Sequence, residues 1–455
     1  MNRNIILFKN NLRINDNPVL KEGSENSYIL PIYIHDESYK NKKLGSASSY
    51  FLYHSLISLN KSLNNKLHFF KGNTLDILLK LIEAYDINQV YIEEFFHHED
   101  IKFFNNLKRK MNEIGVNLKF INCQLLWRPY ELLKEDNTPY KVFTPFFKKK
   151  CLQIIPKKPV GKIDQINFIN TDLITNIEKL NLISKFVWYK KFDNLYKISE
   201  IEASNILENF IQNRIFNYKI GRDFPSQSFN SNLSPYIRFG LISINKIWFS
   251  IDYLPDSPNK YHFLSELGWR EFSYYQLYHF PEMENGNLQT KFNDFQWSNN
   301  QNYLQAWKLG KTGFPFVDAG MRELWNTGFM HNRLRMIVVS FLVKNLQIDW
   351  RIGEKWFWDC LIDADYASNI AGWQWAAGTG VDAAPYFRIF NPIIQGEKFD
   401  SNGVYTKKYI PELSDVDKKY LFQPWLVNHD SNYPEPIIDF KESRIKALNN
   451  FKNIS

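Results

Sequence analysis

In the first third of the chain, short β-rich runs alternate with longer amphipathic ones, and this alternation narrows the fold more than any other feature. Asn4–Phe8 (NIILF), Tyr28–His35 (YILPIYIH), Leu67–Phe70, Gln89–Glu93 (QVYIE) and Leu118–Asn122 are apolar runs of strand length that read as buried strands. Between them, Ala47–Leu63, Thr74–Tyr85 and Glu99–Glu113 carry apolar residues at helical spacing. Strand and helix in alternation predict a doubly wound parallel sheet, an α/β domain over residues 1–126. No G-x-G-x-x-G follows the first strand, so ordinary dinucleotide binding in this domain is unsupported.

From about Arg128 to Asp193 the pattern weakens into Pro139, Pro145, Pro156, Pro159 and the run Lys148–Lys150, and residues 127–195 read as an inter-domain connector. From about Ser199 the chain reads as helices with Trp-rich faces, so residues 196–455 form a mostly α domain. Three scattered cysteines, Cys123, Cys151 and Cys360, cannot make a disulfide framework or a thiolate metal site, and a reducing compartment is expected. Apolar stretches such as Met336–Val343 fall far short of a membrane span, and the N-terminus lacks a signal-peptide core. A cytoplasmic location is expected. The formal charge of +8 fits a polyanionic partner and equally a solvated Lys-rich surface. Aromatic residues make up 16%, with 13 Trp, which is more ring surface than a core requires.

Several patterns carry little. Gly310-Lys311-Thr312 lacks the first glycine of a phosphate loop, since Gln305 stands there, and no strand precedes it. His97-His98-Glu99-Asp100 holds ligand-type side chains, but adjacent histidines point to different helix faces, so no metal site is expected; His98 and Glu99 read as lining a loop at a strand end. Gly328–Met336 (GFMHNRLRM) says more. As a helix it places Asn332 and Met336 one turn apart, with His331 and Arg335 beside them, bordering the apolar run that follows. A buried Arg335 needs a planar anionic partner, and Asp363 or Asp365 would serve. Asp363, Asp365, Asn369, Trp373 and Trp375 together suit a planar heterocycle, and equally plain Trp packing with capping Asp.

Four blocks then carry a resemblance: Phe8–Asn17 (FKNNLRINDN), Tyr140–Phe147 (YKVFTPFF), Glu266–Phe272 (ELGWREF), and Gly328–Leu413 with GWQWAAGTGVDAAPYFRIFNP, QGEKFD and PEL. Over essentially its whole length the chain resembles the photolyase–cryptochrome family, and within it the class I cyclobutane pyrimidine dimer photolyases. The resemblance implies an N-terminal α/β domain able to hold an antenna pigment and a helical domain holding FAD, active as FADH⁻. It maps FAD contacts to Tyr218, to Asn230, Ser231, Asn232, Leu233 and Ser234, and to Glu266, Arg270, Arg335, Asp363, Ala364 and Asp365. Asn369 falls where the family keeps a polar side chain near flavin N5; an amide tolerates both neutral and anionic reduced flavin. Trp269 and Trp375 map to indoles that stack on a flipped-out dimer, Glu266, Asn332 and Met336 to residues touching it, and Arg222 and Arg333 to DNA contacts. Trp297, Trp350 and Trp373 map to a tryptophan chain that passes electrons to oxidised flavin.

The implied activity is blue-light repair of dimers in damaged DNA by a monomer. A signalling cryptochrome and repair of the (6-4) photoproduct are the alternatives. The (6-4) chemistry in the family uses paired histidines, whereas Asn332 and Met336 occupy the matching places. Leu7, Lys9 and Asn11 depart from the usual Trp, Arg and Asp and are expected to affect packing; Phe329, Asn230 and Ser265 depart too. For the antenna, Glu99 matches a folate-contacting carboxylate, yet His98 replaces the usual Asn and Pro281–Lys291 offers no folate partner. Methenyltetrahydrofolate, a deazaflavin and no antenna all stay open.

Overall fold

In the computed structural model, which describes residues 2–37, 43–163, 165–183, 187–427 and 432–454, the apolar runs of the first third pair side by side, all parallel. They are β1 (Asn2–Phe8), β2 (Ser27–His35), β3 (His68–Lys71), β4 (Gln89–Glu93) and β5 (Asn117–Ile121), in the order β3-β2-β1-β4-β5. The chain winds outward from β1 to β3 and then crosses back to β4, so the switch point of a doubly wound sheet lies between β1 and β4. Ile5, Ile6 and Leu7 are fully buried, as a sheet covered on both faces requires.

Helices Ser46–Ser62, Thr74–Tyr85 and His98–Glu113 fall within a residue of the predicted spans. Their ends are set locally: the Asn73 side chain accepts from the N–H groups of Leu75 and Asp76, capping the second of them. A further helix, Pro18–Ser24, was not predicted. It is seven residues long, too short for periodicity to mark, and rests on its Asn17 cap and an N-terminal proline. His98 and Glu99 open a helix instead of lining a loop, with His97 as the cap residue.

The connector is less detached than its sequence suggests. Asn167–Phe168 forms a sixth strand, β6, beside β2. Beyond it the chain is helical. The longest helix, Pro258–His279, packs on Tyr366–Ala377. One continuous core runs from Ile6 and Phe8 of the sheet to Phe210, Trp248 and Phe272 of the helical part, so the two regions share buried surface. The Phe8–Asn17 block makes much of that join. Leu12 N–H donates to Phe239 O at 3.1 Å, and Arg13 Nη1 donates to Gly240 O at 3.0 Å. Gly240 has φ +67°, and a Cβ there would lie 1.9 Å from Asn10 O, so only glycine lets the two backbones meet. Gly310-Lys311-Thr312 is a helix-ending turn, with Gly310 in the left-handed region.

Candidate active site

The helix Asn332–Ser340 is aimed by the turn before it. Gly328 takes φ +68° where a Cβ would strike Ile362 and Phe192, and His331 caps the helix, its Nδ1 accepting Arg333 N–H at 3.1 Å. The His331 N–H in turn donates to buried Glu323 at 3.0 Å. Acceptance at Nδ1 requires a neutral imidazole, and burial pushes its pKa down to about 4.

From this helix Arg335 reaches Asp363, Nη2 lying 2.8 and 3.0 Å from the two carboxylate oxygens, while Nε donates to Met330 O at 2.8 Å. Asp363 is buried, and Ser234 Oγ donates to it at 2.6 Å. Of the two carboxylates open to Arg335 by sequence, the other has a different task. Asp365 caps the Tyr366–Ala377 helix, accepting Ser368 N–H at 2.9 Å and the Tyr274 hydroxyl.

One turn on, Asn369 Nδ2 donates to Glu354 Oε1 at 2.7 Å and toward Glu354 O at 3.4 Å. Both amide hydrogens are thereby engaged, which leaves Oδ1 as the group Asn369 offers a ligand. Trp373 is 2% exposed, and its indole N–H has no hydrogen-bond partner among the described residues.

These groups meet at a cavity of about 550 Å³, within the ordinary range for cofactor sites. Arg335, Asp363, Ala364, Asp365, Asn369 and Trp373 all line it. So do Glu266, Trp269, Asn332, Met336 and Trp375, with Arg222 and Arg333. Arg222 pairs with Glu266, and Arg333 with Asp223 at 2.7 Å. Trp269 is stacked on Phe143 at 3.8 Å, and Asn332 Nδ2 lies 4.0 Å from Met336 Sδ. Gly372 borders open space, since a Cβ there meets nothing within 4 Å. An indole N–H and an amide oxygen without partners among the described residues, a buried carboxylate held by a guanidinium, and a glycine on the wall fit a planar heterocyclic cofactor with polar edges.

Other expected residues stand off the cavity wall. Tyr218 packs edge-on against Phe210 and Phe263, and Arg270 is buried against Glu271 at 2.8 Å and over the Tyr274 ring. Asn230, Ser231, Asn232 and Leu233 lead to Ser234, which touches the site through Asp363, and Asn232 takes φ +59°. Trp350 is buried, Nε1 donating to Asn287 at 2.8 Å; Trp297 is half-buried beside Phe295 at 4.4 Å. The rings that touch Trp373 are Phe357 at 5.0 Å and Trp307 at 6.3 Å. His262, Glu354 and Asp382 border or support the site and were not foreseen; Glu354 and Asp382 lie inside the Gly328–Leu413 block, and His262 stands one turn ahead of the Glu266–Phe272 block.

A second cavity of about 420 Å³ lies between the two regions. Lys9, Tyr33 and Asp100 line it from the sheet side, and Arg238, Tyr274 and Asp365 from the helical side. Lys9 was expected only to affect packing; its ammonium donates to Ile34 O at 2.7 Å on this wall, and burial pushes its pKa down to about 8. His97 meets Glu284 at 2.7 Å and His98 meets Tyr278 O at 2.8 Å, while Glu99 is exposed and off this wall.

Residues 4–162 match the DNA photolyase family model, and residues 263–453 match the FAD-binding domain of DNA photolyase. The deoxyribodipyrimidine photo-lyase of Agrobacterium fabrum is 38% identical over 98% of this chain and 96% of its own. A crystal structure described as a bacterial class III photolyase from Agrobacterium tumefaciens superposes with a TM-score of 0.96 at 36% identity, covering 100% of this chain and 98% of that one. Cryptochrome-1 of Arabidopsis thaliana is 29% identical over 97% of this chain and 69% of its own. These likenesses carry the family and leave the class I subgroup unspecified. With both ends of the chain matched by the family's models and a relative aligned almost throughout, the chain belongs to the DNA photolyase family, as an enzyme whose cofactor is FAD.

Proposed function

We propose that this enzyme uses light to repair damaged DNA, and that its lesion is the cyclobutane pyrimidine dimer. The observation that carries the reading is one cavity bordered both by Arg335, Asp363 and Asn369 and by Glu266, Trp269, Asn332, Met336 and Trp375. Bound reduced FAD supplies one-electron chemistry driven by blue light. The residues do the rest. Arg335, fixed in place by Asp363, would offer guanidinium N–H donors to the cofactor in a site walled by buried side chains. Asn369, its amide held by Glu354, presents an acceptor oxygen to a ring N–H. Trp269 and Trp375 offer indole faces to a flipped-out pyrimidine dimer, and a damaged step is the cheapest to unstack. Glu266 hydrogen-bonds the dimer once Arg222 leaves it for a backbone phosphate, and Arg222 and Arg333 contribute sequence-independent, salt-sensitive affinity. Trp297, Trp350 and Trp373 are assigned to reduction of oxidised flavin.

The inter-domain cavity is the place we assign to an antenna pigment, a methenyltetrahydrofolate or a deazaflavin, and an absorption spectrum of the purified enzyme distinguishes the two. We divide the chain at 1–126, 127–195 and 196–455, and take it to act as a monomer in the cytoplasm. Against (6-4) repair, Asn332 and Met336 line the cavity where that chemistry needs imidazoles. The test is thymine-dimer loss from irradiated DNA with reduced enzyme. Loss under blue light and none in the dark is the expected result; no light-dependent loss refutes the reading.

A further inference from the structure

Arg222, His262 and Glu266 share one nitrogen. Arg222 Nη1 lies 3.0 Å from His262 Nε2 and also meets Glu266 Oε1. A guanidinium nitrogen can only donate, so His262 Nε2 must be the acceptor, which makes the imidazole neutral with its hydrogen on Nδ1. Protonating Nε2 sets an N–H against an N–H and breaks that contact. The imidazolium then has another partner at hand: Glu266 Oε1 is 3.8 Å away, one turn along the same helix.

We propose that His262 is a positioning residue for DNA that takes up a proton on binding. In the free enzyme it helps hold Arg222 on Glu266. When a backbone phosphate draws Arg222 away, His262 gains a proton from solvent at Nε2 and replaces Arg222 beside Glu266. The inference rests on the DNA-repair reading above.

The surroundings set the sign. Around His262 stand the Tyr218 ring at 6.1 Å, Lys219, Arg222 and Asp223 from the preceding segment, and Glu266 from its own helix. Asp223 is held by Arg333 at 2.7 Å. Burial, then Arg222, keep the imidazole below its ordinary value of 6.5; Glu266 and Asp223 oppose them and Lys219 assists. A bound phosphate brings a negative charge and removes Arg222, and both changes raise the pKa. The complex therefore binds more protons than the free enzyme, and affinity rises as pH falls. Each unit of increase is worth up to about tenfold in affinity.

Calorimetry tests this with FAD-loaded enzyme and an ultraviolet-irradiated duplex, in the dark at fixed ionic strength, using buffers of different ionisation enthalpy between about pH 8 and pH 5.5. Wild type takes up a fraction of a proton, rising toward pH 6, and binds several-fold more tightly at the acid end. His262→Gln, whose side-chain oxygen accepts from Arg222 at every pH but takes up no proton, binds as wild type does at pH 8, lacks the gain at the acid end and abolishes the uptake, and His262→Leu likewise shows no uptake. FAD retention by absorbance verifies that both variants fold. Unchanged uptake in His262→Gln, or proton release by wild type, overturns the assignment and leaves the repair reading standing. Failure of wild type to bind the irradiated duplex at any pH overturns both.

Discussion

Replacing Gly353 by alanine forces a collision with the indole of Trp373. Gly353 lies in the helix Trp350–Cys360, and a Cβ there would sit 2.1 Å from Trp373 Cη2, 2.6 Å from Cζ3 and 2.5 Å from Leu342 Cδ2. Ordinary contact begins near 3.4 Å, so the ring must withdraw by about 1 Å. It has little room, being 2% exposed and edge-on to Phe357 and Trp307. Two terms compete. Alanine is better than glycine in a helix interior by ~0.5–1 kcal/mol, while overpacking a dense core costs ~1–3 kcal/mol. A rigid, enclosed ring relaxes poorly, so overpacking wins and the net loss is about 1–2 kcal/mol.

The functional consequence separates the roles of this indole. Trp373 lines the flavin-side cavity, so its displacement slows light-driven reduction of oxidised flavin, while dimer repair by enzyme reduced beforehand falls much less. Thermal unfolding gives the first quantity; flavin absorbance under blue light with an external thiol gives the second. Wild-type melting together with a wild-type photoreduction rate would show that neither the packing argument nor the assignment of Trp373 holds.

Gly372→Leu tests the cavity itself: its side chain grows into open space, so the protein folds and loses FAD, seen as a colourless product with native circular dichroism. Asp363→Asn strips the charge from a pair in which one Arg335 nitrogen bridges both carboxylate oxygens; because Arg335 is 27% exposed, the cost is about 1–3 kcal/mol, less than for a sealed pair, and FAD retention drops on gel filtration. Glu354→Leu releases the Asn369 amide to rotate, and the flavin spectrum and reduction midpoint shift while Asn369 stays in place. His331 gives a pH signature. Its folded pKa of about 4 lies below the unfolded value of 6.5, so the unfolded chain binds more protons in that window and stability falls as pH drops through it, by roughly 3–3.5 kcal/mol in full. His331→Asn keeps a capping acceptor and flattens the loss in urea titrations at pH 7 and pH 4.5.

How far the sequence could be read depended on where each residue's partners lie. Thr74–Tyr85 was legible to the residue because its apolar period and Asn cap are local. Pro18–Ser24 and the two-residue β6 were not, since one is two turns long and the other exists only by pairing with β2. In the site, a buried Arg335 demanded a carboxylate and left Asp363 and Asp365 both open. The choice is made by position: Asp365 opens a helix and is used as its cap, while Asp363 is free to face Arg335. Glu354 and His262 escaped notice because their meaning is carried by Asn369 and Arg222, which come from other helices.

The blocks that made the family recognisable do not all border the flavin-side cavity. Phe8–Asn17 joins the two regions through Arg13 and Gly240, and Glu271 of the Glu266–Phe272 block accepts the Leu126 N–H at 2.8 Å, fixing the start of the connector. Arg238 completes the join: Nε donates to Ala364 O at 2.9 Å and Nη1 to Asn10 at 2.8 Å. Ala364 stands between Asp363, which faces Arg335, and Asp365, which lines both cavities and takes the Tyr274 hydroxyl, itself held by Gln124 at 3.1 Å. The residues that position the flavin-side carboxylate are therefore the same ones that weld the sheet to the helices. A change at Asn10 or Arg238 would be felt in both cavities, although neither residue touches the larger one.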